Sequence, residues 1–492
     1  MTKLSLATLK EVSATAAIPG YDRSSLTPGI VHFGVGNFHR AHQAIYLDDL
    51  FNLGQDHDWA IVGAGVLPSD SVMRDKLAAQ DFLTTVVEQD NNSTSARVTA
   101  PMIDILPTGD AKTIIAKLAD PAIRIVSLTI TEGGYFIDAS GKFNPAHPAI
   151  AADGQSPSEP KTVFGLIVGG LKARRDKGLA PFTVMSCDNI PHNGGVTLAA
   201  VVGTARLSDP AFADWIKANV SFPNGMVDRI TPATGAREID LLKDNFKIED
   251  NWPVYCEEFK QWVLEDKFPL GRPALEKVGV TFVSDVAPYE HMKIRILNGG
   301  HAAIAYPSAL MDIHFVHDAM GDPLIRAFLA KLENEEIIPI VPPVPDTVLK
   351  DYFAMIEHRL LNPKIADTIP RLAQDGSNRQ PKFILPSTGD RLARNEDVIG
   401  LSLVSALWCR YFAGTTDSGK EIVFNDASAD RLHAAALKAK TDPAAFLVFE
   451  DIFGTVAKSD LFRKRFAQAL KTLWAKGTRE TLQLYLDNKL AE

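Results

Sequence analysis

Lys293, Glu290, His301 and Asn298 fall within the thirteen-residue stretch Tyr289-Glu-His-Met-Lys-Ile-Arg-Ile-Leu-Asn-Gly-Gly-His301, which contains no proline. Wound as a helix at about 100° per residue, they lie at roughly 0°, 60°, 80° and 140°, on one side, with Ile294 and Leu297 between them. A cation, a carboxylate, an imidazole and an amide on a partly apolar face are costly to bury without partners. They make sense together where that face lines a site. The chemistry they suit is oxidation of an alcohol. A lysine with a depressed pKa takes the hydroxyl proton, amide N–H groups meet the developing alkoxide, an imidazole holds the lysine or a hydroxyl, and the carboxylate passes the proton outward. The same residues also fit a solvated i, i+3 ion pair, and Asn-Gly-Gly-His also fits a helix stop.

The elements that must position these groups begin upstream. Residues 30–33 form a short apolar strand, Gly34-Val-Gly36 a GxG turn, and residues 40–53 a helix stopped by Gly54. Strand, GxG and helix in this order are the setting of a dinucleotide fold. The first glycine permits the tight turn and the second lets the backbone approach a pyrophosphate at a helix start. His39 stands where the third glycine would be, so the helix must pack differently there. An ordinary glycine turn has the same spelling. Gly34, Gly36, Asn37 and Phe38 are the candidate cofactor contacts here.

The alternation continues with a strand at 59–66, a helix at 69–80, a third strand at 82–88, a helix at 111–119 and a strand at 123–131. Asp70 either accepts from an adenosine ribose, which favours NAD over NADP, or caps its helix. Glu132 follows the 123–131 strand, at the end where parallel sheets bind ligands. Residues 137–160 read as a loop excursion. A helix at 162–177 and a strand at 182–186 lead into Cys187-Asp-Asn-Ile-Pro-His-Asn-Gly194, which puts Asp188, Asn189, His192 and Asn193 in the expected crevice and suggests Asn193 as a helix N-cap. Asp228 and Arg229 are either an ordinary ion pair or a polar substrate handle. Residues 278–282 suggest a further strand. From residue 288 the pattern turns helical, at 290–306, 323–332, 347–357, 396–412, 429–438, 443–452, 459–475 and 479–488. The proline-rich run 338–345 is extended. Arg371, Asp375, Gly376, Ser377, Arg379 and Lys382 form a basic loop cluster whose donors suit polyol oxygens. The expected class is α/β: a Rossmann-type dinucleotide-binding domain over 1–286, followed by a mostly α-helical catalytic domain over 287–492.

Composition narrows the function. A chain of 492 residues exceeds one usual core. Its net charge of -9 argues against nucleic acid as a partner. Cys187, Cys256 and Cys409 are scattered, which suits a reducing cytoplasm. No CxxC or HExxH spells a metal site. No long apolar run reads as a secretory leader or reaches the ~18 residues of a membrane helix.

Together, Gly34-Val-Gly-Asn-Phe-His-Arg-Ala-His-Gln43, Ser127-Leu-Thr-Ile-Thr-Glu-Gly-Gly-Tyr135, Ser186-Cys-Asp-Asn-Ile-Pro-His-Asn-Gly194, Phe222-Pro-Asn-Gly-Met-Val-Asp-Arg-Ile-Thr-Pro232 and the KxxxxNxxH pattern of Lys293, Asn298 and His301 resemble the polyol-specific long-chain dehydrogenase/reductase family over essentially the whole chain. The resemblance implies a metal-independent, monomeric, cytoplasmic enzyme that takes a polyol or ketose. Lys293 would be the general base, Asn189 and Asn298 the alkoxide donors, and His301 the positioning group. Asp228, Arg371 and Arg379 would touch substrate, although Arg379 stands where close relatives carry lysine. Asp70 matches the NAD-favouring acid. The implied reaction is reversible, NAD-dependent oxidation of D-mannitol to D-fructose by hydride transfer from C2. D-arabinitol, D-sorbitol, phosphopolyol and uronate enzymes share the pattern. A non-catalytic dinucleotide sensor is the reading from another class.

Overall fold

Val31 and Phe33 pack on one face of a strand and Ile30 on the other, the two-residue alternation of a pleated strand. In the computed structural model, which describes residues 1–138 and 141–491, this strand is the centre of a five-stranded parallel sheet. Its members are β2 (Pro28–Phe33), β3 (Ala60–Ala64), β6 (Met102–Ile105), β7 (Ile125–Leu128) and β8 (Thr183–Ser186), in the order β6-β3-β2-β7-β8. By chain position this is 3-2-1-4-5, the doubly wound Rossmann order, whose direction reverses at β2 and opens a ligand crevice beyond the strands' carboxyl ends. The strands are near-continuous apolar runs because both faces are covered. The helices Ala111–Leu118, Val163–Asp176 and Asn193–Arg206 cover one face and Gln43–Asn52 the other.

Two three-stranded sheets also belong to the first unit, Met1–Ala287. β4 (Thr84–Gln89) lies between β5 (Thr94–Thr99) and β11 (Val254–Glu257). β12 (Gln261–Glu265) lies between β9 (Gly225–Asp228) and β13 (Thr281–Val283). The short strands β1 (Thr2–Lys3) and β10 (Ile248–Glu249) pair in parallel.

Several expectations are corrected. The strand expected at 82–88 exists, but outside the main sheet; the third strand there is β6, which the sequence pattern did not reveal. The helix expected at 40–53 is two, Asn37–Ala41 and Gln43–Asn52, broken at His42 (φ -123°, ψ -85°). The excursion at 137–160 contains the helix Pro148–Gln155. At 278–282 a 3-10 turn, Leu275–Val278, precedes β13.

The second unit, Pro288–Glu492, is helical. Its core is the almost wholly buried helix Ile399–Phe412, packed against Asp460–Leu486. The latter merges the two helices expected at 459–475 and 479–488 and kinks at Gly477 (φ 78°, ψ 175°). The basic cluster expected as a loop is helical, spanning Ile369–Ala373 and Gly376–Phe383. Pro381 lies inside the second of these, which is why the sequence suggested loop. Cys187, Cys256 and Cys409 are all buried free thiols.

Candidate active site

Gly34 has φ +91°, and a Cβ there would stand 2.0 Å from the Thr129 carbonyl oxygen. Only glycine fits. Gly36 differs: the nearest atom to its would-be Cβ is the Gly34 oxygen at 3.7 Å. Among the described residues no other atom comes within 4 Å of that position, so the backbone there is open to a ligand. This is the cradle a dinucleotide pyrophosphate needs at the start of the helix Asn37–Ala41. His39, in the third-glycine position, stacks on His32 of β2 with ring centroids 3.5 Å apart. The helix therefore packs on the strand through two rings where glycine would bring backbones together. His32 Nδ1 pairs with Ser127 Oγ at 2.8 Å and its Nε2 with Thr129 Oγ1 at 2.9 Å. Burial pushes the His32 imidazole down to about 3. Asn37 Nδ2 donates to the Pro232 carbonyl and to Thr234 Oγ1, so its side chain is a loop clasp. Phe38 is half-buried and stacks on His42.

Asp70 follows β3. Its Oδ2 accepts from the backbone N–H of Val66 and of Leu67, both at 2.8 Å. That is a cap on its own helix. Among the described residues, Oδ1 takes no hydrogen bond within the chain.

The loops after β7 and β8 are tied together by Asp188, one of the polar residues expected in the crevice. Asp188, 8% exposed, accepts from Ile130 N at 3.0 Å, Thr131 N at 2.9 Å and Tyr135 Oη at 2.7 Å. Burial raises its carboxyl even against these donors. Thr131 is held at φ 62°, ψ 165°, a region that is essentially glycine's. Glu132 and Asn189, the neighbours of these two, are exposed at the same edge of the sheet. Asn193 is not the expected N-cap. It is fully buried, donates from Nδ2 to the carbonyls of Ser186, Asp188 and Gly225, and accepts from Gly225 N. It thereby fixes the start of β9 against the β8 loop. Asp228 ends β9, 6% exposed. Arg229 pairs with Glu88 at 2.5 Å and donates to the carbonyls of Glu257 and Ala41. Its role in the unit is structural.

In the second unit the thirteen-residue stretch is not one regular helix. An α-helix, Ala287–Met292, passes into a π-helical turn, Lys293–Asn298, and then into the α-helix Gly299–Leu310. The angular placement drawn at about 100° per residue therefore fails across the turn. Bonding from i to i+5 brings Lys293 and Asn298, five apart, closer to one line along the helix. Lys293 and Glu290 are each 7% exposed, while Asn298 and His301 are half-buried. Arg295, on the turn, donates to Ser387 Oγ and to Asp390, each at 2.8 Å. A second π turn, Glu333–Ile337, packs near the first. Its Glu333 is wholly buried, with Oε1 3.3 Å from where a Cβ on Gly300 would lie. Among the described residues neither oxygen has a hydrogen-bond partner, and burial raises this carboxyl far above the usual range.

Arg371 grips Asp367 at two points, from Nε and Nη2 to the two carboxylate oxygens. Burial would raise the Asp367 carboxyl, but the Arg371 hydrogen bonds and charge, with His301 adding to them, hold it low. Arg379 Nη1 donates to the carbonyls of Arg371 and Leu372. Lys382 is exposed. His301, Asp367, Arg371 and Arg379 thus form one electrostatic group. Asp367 lies outside the helix Ile369–Ala373, before its N-cap Thr368, and no motif in the sequence marks it as the partner of Arg371.

Residues 28–277 match the family model described as the mannitol dehydrogenase Rossmann domain, and residues 285–474 that of the mannitol dehydrogenase C-terminal domain. A mannitol 2-dehydrogenase of Cereibacter sphaeroides is 59% identical over 469 residues, 95% of this chain and 98% of that one. Another, from Pyricularia oryzae, is 39% identical and covers 99% of both chains. Among solved structures, a Pseudomonas fluorescens mannitol 2-dehydrogenase in ternary complex with NAD and D-mannitol is 43% identical, with TM-score 0.86 over 99% of this chain and all (100%) of that chain. A D-sorbitol dehydrogenase in substrate-free form is 35% identical, with TM-score 0.91 over 97% of this chain and all (100%) of that chain.

Proposed function

The chain belongs to the mannitol dehydrogenase family, and on that premise we propose that it is an NAD-dependent polyol dehydrogenase that interconverts D-mannitol and D-fructose. The observation that carries the reading is a buried lysine opening a π turn, with Asn298 and His301 following it, inside a chain 59% identical to a mannitol 2-dehydrogenase.

Lys293 takes the proton from the C2 hydroxyl; at 7% exposure little water competes for it. Asn298 and Asn189 donate amide N–H groups to the oxygen as it becomes an alkoxide. His301 orients that hydroxyl, and Glu290 relays the proton away from the lysine. Asp228, Arg371 and Arg379 hold the remaining hydroxyls. Gly34, Gly36, Asn37, Phe38 and Glu132 line the cofactor side, Asn37 through its backbone because its side chain is engaged. The Oδ1 of Asp70 accepts from the adenosine ribose. When bound, NAD supplies the hydride acceptor. The enzyme works as a cytoplasmic monomer without a metal ion, and among the described residues no helix is long and apolar enough to cross a membrane.

Initial rates with a panel of polyols and ketoses, run with NAD and NADP side by side, test this. Mannitol and fructose with NAD should give the highest kcat/KM. Preference for a uronate or a phosphate ester would sink the proposal. D-sorbitol is the second reading, favoured by the TM-score of 0.91 to a D-sorbitol dehydrogenase, and the same panel separates it. A chelator should leave the rate unchanged; loss of rate restored by added metal would contradict the metal-free scheme.

A further inference from the structure

We propose that Asp367 sets substrate class: by closing a two-point ion pair on Arg371 it cancels that side chain's charge, and so admits uncharged polyols over sugars carrying a carboxylate or phosphate. The inference rests on Arg371 being a substrate contact. Arg371 is half exposed, and among the described residues its Nη1 and second Nη2 hydrogen are not engaged, which suits hydroxyl oxygens. Its Nε/Nη2 edge, the fork that matches a carboxylate, is already filled by Asp367.

Asp367 cannot readily give way. Its side chain is 11% exposed. The backbone at and after it is pinned: Val316 N donates to the Asp367 carbonyl at 2.9 Å, and Ile369 N to the His314 carbonyl at 2.8 Å. Thr368 bridges to Phe315, and Thr368 N donates to Asp367 Oδ1 at 2.8 Å. Arg379 clamps the other end of the short helix through the Arg371 carbonyl. An incoming anion would meet a fixed carboxylate beside its intended partner, a repulsive arrangement that discriminates against it. A neutral polyol carries no charge for that carboxylate to repel.

The test compares wild type, Asp367→Asn and Arg371→Ala in the reduction of fructose, a fructuronate and fructose 6-phosphate with NADH at low ionic strength. For Asp367→Asn, the ratio of kcat/KM for either anion to that for fructose should rise on the order of tenfold, about the factor one unshielded charge at a partly exposed distance carries. The rise should shrink in high salt. The carboxylate and phosphate arms show whether the two anions are excluded alike. An unchanged ratio with Arg371→Ala impaired on fructose overturns the role of Asp367. If Arg371→Ala leaves the fructose KM unchanged, Arg371 is not a substrate contact and the underlying reading fails instead. Should Asp367→Asn not fold, Asp367→Ser carries the same readout.

Discussion

In the turn after β2 the groups offered to a ligand are backbone, and the side chains hold that backbone in place. Gly34 adopts φ +91° against the Thr129 carbonyl, while His32, His39 and Ser127 are buried beneath. In the turn Lys293–Asn298 the roles are exchanged. The groups offered are side chains, and the backbone changes its winding to present them. On the proposed function, the first turn holds a cofactor common to many enzymes, for which shape suffices. The second then supplies a base and an amide to one hydroxyl, for which chemistry is needed. Conformational constraint falls on glycine in one and on helix register in the other.

The comparison is broken most directly at Lys293. Lys293→Ala should lower kcat for mannitol oxidation about 10²- to 10⁴-fold, the usual reach of a general base, while NADH binding by fluorescence titration stays intact. A near-wild-type rate would show that the π turn does not carry the base. The converse cut is Gly34→Ala. It forces a methyl into the Thr129 carbonyl and should destabilise the protein by about 3 kcal/mol or more in urea unfolding. Any folded protein should lose NAD affinity ahead of chemistry. Retained affinity would refute the backbone cradle.

Glu333 sharpens the comparison through pH. Its folded pKa is raised by burial well above the ordinary 4.5. Its contribution is therefore fully present below that value and is lost as pH rises through the folded pKa. Glu333→Gln has no such term, so its stability relative to wild type should climb in thermal melts as pH rises above the ordinary carboxylate range, and level off once the folded carboxyl ionises. A flat difference would mean the carboxyl finds a partner. The smallest effect is expected at Thr131→Gly. It relieves a strained φ 62°, ψ 165° worth about 1–3 kcal/mol but adds unfolded-chain entropy of roughly 0.5–1 kcal/mol. A net gain of about 1 kcal/mol in stability, with slower turnover from a looser loop, is expected. Unchanged turnover would show that the strain does not serve the site.

Much of this is legible in the sequence. The strand–GxG–helix order at Gly34 and the spacing of Lys293, Asn298 and His301 mark both turns, because turn geometry and reactive groups are local properties. What escaped was whatever depended on distant partners. Residues 82–88 have the β-branched density of a strand, yet propensity does not say which sheet a strand joins. Asn193 sits where caps sit, but Gly225 lies thirty-two positions on and claims its amide. Asp188 looked like one polar residue among several, until Tyr135 and two backbone N–H groups converged on it. The π turn has no residue signature of its own, since Lys-Ile-Arg-Ile-Leu-Asn is equally good α-helix former.

The three buried thiols bear on how the molecule can be watched. Burial raises the Cys187 and Cys409 thiols and pushes Cys256 up to about 12, so little reactive thiolate exists near neutral pH. Maleimide dyes should therefore pass over the native chain. Leu53→Cys, at a site 55% exposed in the first unit, and Val423→Cys, at one 86% exposed in the second, could be labelled with a donor–acceptor pair without first stripping the natural cysteines. Single-molecule energy transfer between them would then follow the two units in real time as coenzyme and polyol are added.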